Sequence, residues 1–372
     1  MASTERPSPS EMSPLTQISS VELQMLSVDQ ILDKYEPVNG KDDTIKILRA
    51  FLDDLPLDGK KNLMDDIEAC SLNLKALADS LRDEVLGPLR AMGGQTAEPT
   101  PNPRPGREES VEIMASNIVE SASRNDQKWL KECCLKRDGQ RCIISGIFDY
   151  NYVQKNALDE EGEETECTHI IPFAMGHFET DAKARELQGT WVAMRRYFPI
   201  LTDPTHHFSQ ENINECRNAM TLHHGLHRNF GKFRIALDPT EKENEYNILQ
   251  FRATATAKRF LPANNKILFT QHDSRYAMPS PELLRIHAII AKVLRASGQA
   301  EYIDKILQDR DNTGVLATDG SSNVGAFLSM SQLSLIAAPA RSMSENVRPG
   351  GEKQAERRSE ARFGERQENF GQ

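Results

Sequence analysis

Cys167-Thr-His-Ile-Ile-Pro-Phe173 and Asn218-Ala-Met-Thr-Leu-His-His-Gly-Leu-His-Arg-Asn-Phe-Gly231 bound the stretch on which the reading of this chain turns. Seven of the nine histidines lie between those ends, so polar chemistry is concentrated there. His169 follows a short polar turn and precedes an apolar run, a pattern that predicts a strand end placing an imidazole at a cleft. Asn218 opens a second apolar run, Ala219 to Leu222. His223 and His227 then stand four apart, which puts both on one face of a predicted helix, a spacing that lets two side chains grip one metal. The implied unit is strand, strand, helix around a cation.

The bulk composition constrains what surrounds this unit. A chain of 372 residues holds one or two domains with real cores. Its hydrophobic share of 38% implies that tails and linkers dilute a smaller folded part. The net charge of -10 means that nucleic acid would be held by a local basic face and not by the global field. The cysteines at 70, 133, 134, 142, 167 and 216 form no regular framework, and no secretory signal or membrane-length run is present. A reduced intracellular protein is expected, in nucleus or cytosol alike.

Reading outward, residues 1–18 are Ser, Thr and Pro rich and are expected to be disordered. Residues 19–92 form a predicted helical segment. One helix starts at the Ser27-Val-Asp-Gln30 capping box, and a second spans Asp43 to Leu55. A third carries Leu63, Ile67, Cys70, Leu74, Leu77 and Leu81 at coiled-coil spacing and stops near Gly87-Pro88. Either an intramolecular hairpin or a homodimer through these helices fits that pattern. Residues 93–109 are a linker with a high proline content.

The folded domain is expected over residues 110–310. A helix from Ser110 to Cys134, with Val111, Met114, Ile118 and Trp129 as apolar positions, leads to the tight-turn signal Asp138-Gly139 and a predicted strand Cys142 to Gly146. Ala157 to Glu166 reads as an acidic surface loop. Thr180 to Phe198 reads as a helix whose Trp191, Arg195 and Arg196 could stack on a base or hold a phosphate. Lys232 to Leu237 and Glu245 to Phe251 alternate as a hairpin, and Pro281 to Ala296 is strongly amphipathic, with Leu283, Leu284, Ile286, Ile289, Ile290, Val293 and Leu294 facing a core. Residues 311–372 are expected to be a disordered tail.

The order His, Asn, His in "THIIPF" and "NAMTLHHGLHRNFGKF" resembles the HNH endonuclease family, in particular the version found in many fungal proteins. The resemblance extends to "RDGQRCIISG" (Arg137 to Gly146) and "PELLRIHAIIAKVLRASG" (Pro281 to Gly298), the middle half of the chain. It implies an α+β fold: a ββα-metal (His-Me finger) core with an added hairpin and helices, an N-terminal helical segment and a disordered tail. By the same resemblance His169 is the general base and Asn218 orients that base or the metal shell. His227 binds one divalent ion, Mg²⁺, Mn²⁺ or Zn²⁺, with His223 as the additional ligand. Thr168 stands where many family members carry an Asp or His ligand. Arg195, Arg196 and Arg228 are the candidate substrate contacts. The implied function is metal-dependent hydrolysis of nucleic acid, DNA ahead of RNA, with no membrane partner.

Two rival readings remain at this stage. Thr168 and the acidic charge suit an HNH fold that binds nucleic acid or protein with weak or lost hydrolysis, and the helical segment suits an oligomeric scaffold. A structural zinc held by Cys142, Cys167, His223 and His227 is a further alternative.

Overall fold

The structure is a computed structural model, and it describes residues 14–93, 126–176 and 181–313. All of these belong to the unit spanning residues 1–340. The architecture is mixed, with helices packed around small two- and three-stranded sheets.

The N-terminal helices are α1 (Pro14–Asp33), α2 (Thr44–Asp54), α3 (Leu57–Ala69), α4 (Leu74–Leu81) and α5 (Gly87–Met92). Two expectations are corrected here. Helix α1 begins at Pro14, with the capping-box sequence at Ser27 in its interior, because no proline or glycine interrupts residues 15–33. The heptad-like stripe is split between α3 and α4, since Asn73 caps α4 by accepting from the Ala76 N–H at 3.3 Å and so ends the turn after Cys70. A single three-heptad coiled-coil helix is therefore absent. Leu63, Ile67, Leu74 and Leu81 are instead at most 2% exposed in the core of the same chain. A π-helical turn, Arg82–Leu86, then leads into α5, so the chain stays helical through Gly87-Pro88, where a stop is expected from the sequence.

Residues 126–137 form α6; positions 110–125, with Val111, Met114 and Ile118, lie outside the described residues. Trp129, one of the apolar positions read for this helix, is 58% exposed. After Asp138, Gly139 and Gln140 both take positive φ (70° and 59°), and Cys142 to Gly146 form turns in place of the predicted strand; one antiparallel bridge, Arg141 to Phe148, is made. The acidic loop is also more ordered than expected. β1 (Phe148–Asp149) and α7 (Tyr150–Asn156) lead into it, and it contains β2 (Gly162–Glu163), parallel to β1, and the start of β3 (Thr165–His169).

Beyond β3 come α8 (Asp181–Tyr197), β4 (Ala219–His223) and α9 (His224–Gly231). The predicted hairpin follows as β5 (Ile235–Pro239) and β6 (Glu245–Gln250). After α10 (Ala255–Arg259), β7 (Lys266–Leu268) adds a third strand on β6. The chain ends its described part with α11 (Pro281–Ala296) and α12 (Gln299–Thr313); the later tail positions lie outside the described residues.

Helix α11 organises the core. Ser280 caps it and Pro281 occupies its first turn, and all seven predicted apolar positions are at most 5% exposed. It packs on β5 and on α2, so burying each Leu or Ile contributes about 1.5–3 kcal/mol to both the sheet and the helical segment. Arg196 ties α8 to α3 by bonding Asp66, and the Asn62 amide donates to the Arg196 carbonyl at 2.7 Å. Among the described residues, no helix is long and apolar enough to cross a membrane.

One α11 residue is polar and buried. His287 stacks on Phe230 at 3.8 Å and Phe233 at 4.4 Å between ring centroids. Its Nε2–H donates to the Phe230 carbonyl at 3.1 Å, while Nδ1 is buried without a partner. Burial pushes its pKa down to about 3. The unfolded chain therefore takes up this proton first, at about pH 6.5. Stability is complete above that pH and falls as pH drops toward 3, by up to about 1.4 kcal/mol per unit for this group. Urea midpoints measured from pH 7 to pH 4 are expected to decline, and His287→Met should flatten the slope; an unchanged slope would contradict this.

Candidate functional site: a histidine and carboxylate cluster

The site is built on β3 and β4. They pair antiparallel, with Thr165 opposite His223 and His169 opposite Ala219, so His169 ends one strand where the other begins. Asn218 immediately precedes β4 and is completely buried. Its Oδ1 accepts from the Ile171 N–H at 2.9 Å, and its Nδ2 donates to the carbonyls of Ile171 and Ile213, both at 3.0 Å. The Asn218 carbonyl also accepts from the Ile170 N–H at 2.8 Å. Asn218 thus fixes the chain leaving His169 to the chain entering β4, and its amide is fully committed to backbone. It acts on the site as a positioning residue.

His169 is half-buried beside Phe173, and its Nε2 lies 3.1 Å from Asn214 Oδ1. With that oxygen as acceptor, Nε2 carries the proton and Nδ1 keeps its lone pair. Burial lowers the His169 pKa to about 4; the bond to Asn214 opposes the shift and the charge of His227 adds to it. The imidazole is therefore neutral at ordinary pH.

Helix α9 supplies the second histidine. His227 is 6% exposed, and its Nδ1 is bonded to Glu166 on β3. The other Glu166 oxygen lies 2.7 Å from Nδ1 of the exposed His224. Burial alone would raise the Glu166 pKa, but the bonds and charges of His227 and His224 outweigh it and hold the carboxyl at about 2. Glu166 is thus an ionised group that fixes the His227 ring and directs its Nε2 away from the carboxylate.

The shared helix face expected for His223 and His227 is corrected. His223 is the last residue of β4 and the N-cap of α9, with Nδ1 accepting from the Gly225 N–H at 3.1 Å. Its ring meets Phe260 at 4.3 Å, its Nε2 is buried without a partner, and burial lowers its pKa to about 4. The cysteine part of the zinc alternative also fails to converge. Cys142 Sγ accepts from the Ser145 N–H at 3.4 Å, whereas Cys167 contacts Cys134. The Thr168 hydroxyl is buried without a partner. Of the three candidate arginines, Arg196 is occupied by Asp66, Arg195 lies over the Trp191 ring at 5.8 Å, and Arg228 is exposed on α9.

The mixed α+β fold joins Glu166 of β3 to His224 and His227 of α9, with His169 at the end of the same strand. Residues 142–238 match the family model described as HNH endonuclease, and this segment takes in β3, Asn218, β4 and α9. No curated protein and no solved structure matches the chain.

Nucleases of the HNH family generally use a divalent metal ion. Among the described residues, no three His, Cys, Asp or Glu side chains are grouped to hold one. The residues therefore do not fit a closed structural zinc. Glu166 does orient the His227 ring in the way a carboxylate supports a ligating imidazole. Two participants escaped the sequence reading. Glu166 was hidden among Glu160, Glu161, Glu163 and Glu164, and Asn214 lies 45 residues from its histidine.

Proposed function

We propose that this protein is a metal-dependent endonuclease that hydrolyses nucleic-acid phosphodiester bonds, DNA ahead of RNA, on a ββα-metal core formed by β3, β4 and α9. The observation that carries this reading is the Asn218 staple, which holds a neutral His169 at the end of β3, the strand whose Glu166 fixes His227. His169 Nδ1 takes the proton from a water molecule attacking phosphorus, and an anionic phosphate bound nearby raises its basicity. His227 would hold the cation through Nε2, with Glu166 orienting the ring. When bound, the cation neutralises charge developing on the phosphate and leaving oxygens. Arg228, exposed one position beyond His227, contacts the flanking strand.

One observation favours the second reading, a binding module with little hydrolysis. The position preceding His169 offers no ligand, since the Thr168 hydroxyl is buried. Titrating Mg²⁺ and Mn²⁺ into a DNA-cleavage assay separates the two. His227→Ala is expected to raise the metal concentration for half-maximal rate by about 10–100-fold, the range typical of lost metal-site support. A His227→Ala protein with an unchanged metal requirement would remove His227 from the cation site.

A further inference from the structure

At its far end, α9 meets α5. Gly93, which follows α5, packs against the Gly231 carbonyl so closely that a Cβ there would collide with it. This contact brings Arg90 of α5 to Lys232 and Arg234. Arg90 is 4% exposed; its Nε and Nη2 bond Asp304 of α12 at 3.0 and 2.6 Å, and its Nη1 is buried without a partner. Lys232 and Arg234 are half-buried, and no carboxylate pairs with either among the described residues. Burial lowers the Lys232 pKa, and the charges of Arg234, Arg90 and Arg228 push the same way against Asp304. Glu301, the other acid acting on Arg90, already bonds Arg252 at 2.8 Å and Arg295 at 3.3 Å. The carbonyl end of α9 favours one nearby cation, but it does not neutralise three. Cations gathered in a half-buried place, with one guanidinium nitrogen unpartnered, are stabilised by an anion.

We propose that the half-buried Lys232 and Arg234, backed by the charge of the buried Arg90, form a phosphate pocket that holds a backbone phosphate of the nucleic-acid strand cleaved at His169. The inference rests on the nuclease reading above. Lys232 is the C-cap of α9, the helix that carries His227, so the pocket and the site share one element.

The test uses the full chain and the Lys232→Gln, Arg234→Gln double variant, which leaves the buried Arg90–Asp304 pair in place. A fluorescent DNA duplex is titrated in EDTA so that it is bound and not cleaved, and inorganic phosphate is titrated in a thermal-shift assay. The double variant is expected to bind DNA about 10-fold more weakly, with the slope of log K against log salt shallower by about 2. Phosphate should stabilise the wild type and not the variant. A Lys155→Gln, Lys242→Gln control should bind as the wild type does. If the double variant binds DNA with wild-type affinity and slope, the pocket is refuted, while cleavage that depends on His169 would still stand. If neither protein binds DNA but phosphate stabilises only the wild type, the anion pocket stands and its assignment to a nucleic-acid strand is overturned together with the nuclease reading.

Discussion

His169→Ala is expected to lower the rate of DNA cleavage by about 10²–10⁴-fold, the usual contribution of a positioned general base. The fold should survive the change. His169 is half-buried, among the described residues its ring bonds only the Asn214 side chain, and the segment around it is held by Asn218 through backbone groups that alanine leaves intact. The loss should appear in the single-turnover rate, with DNA affinity in EDTA unchanged, because a base acts in the transition state and contributes little to ground-state binding. Added imidazole should restore part of the rate. An Asn218→Ala protein should behave differently. It strands the Ile171 N–H and the carbonyls of Ile171 and Ile213, so stability and rate should fall together.

Arg137→Met is expected to destabilise the protein by about 3–5 kcal/mol, the range for breaking a buried ion pair from one side. Arg137 is completely buried and reaches three separate pieces of chain. Its Nε and Nη2 bond the Asp138 carboxylate at 2.7 and 3.0 Å. Nη1 donates to the carbonyls of Cys216 and Ala277 at 2.7 and 2.9 Å, and Nη2 to that of Ala219 at 2.9 Å. Asp138 in turn accepts from the Thr221 N–H at 2.9 Å. Methionine would leave the carboxylate buried without its partner and would remove the guanidinium donor from the carbonyls of Cys216, Ala219 and Ala277. Lysine should rescue poorly, since one ammonium cannot reproduce the planar fork. Because Cys216 and Ala219 lie on either side of Asn218, and Ala219 and Thr221 belong to β4, the damage should extend to the site. Urea unfolding should show a lower midpoint at an unchanged slope, and a loss below about 1 kcal/mol would show that the network is not the anchor argued here.

Local signals explain which elements were legible. The α11 stripe, with Ser280 and Pro281 at its start, and the alternation in β6 are periodic patterns that the fold keeps, whereas β5 begins at Ile235 and buries Ile235, Ala236 and Leu237 in succession. His169 and Asn218 were legible as a pair because each sits at the edge of a short apolar run. The failures have physical causes as well. The spacing of four between His223 and His227 fits a helix face, but strand β4 runs one residue further than the apolar run suggests and makes His223 a cap. The leucine spacing of α3 and α4 is continuous across a break that Asn73 sets through a side-chain bond. Arg196 reads as a free cation until Asp66, 130 residues away, is placed against it. Sequence periodicity reports which face is buried, and it carries no record of which distant residue covers it.

Nicking of supercoiled plasmid by the wild type and by His169→Ala, side by side in Mg²⁺ or Mn²⁺ and again in EDTA, tests the central claim most directly. The account predicts metal-dependent nicking by the wild type, none in EDTA, and a loss of about 10²-fold or more in the variant, with both proteins giving the same unfolding profile. Equal nicking by the two proteins, or none by folded wild type with either metal, would contradict it.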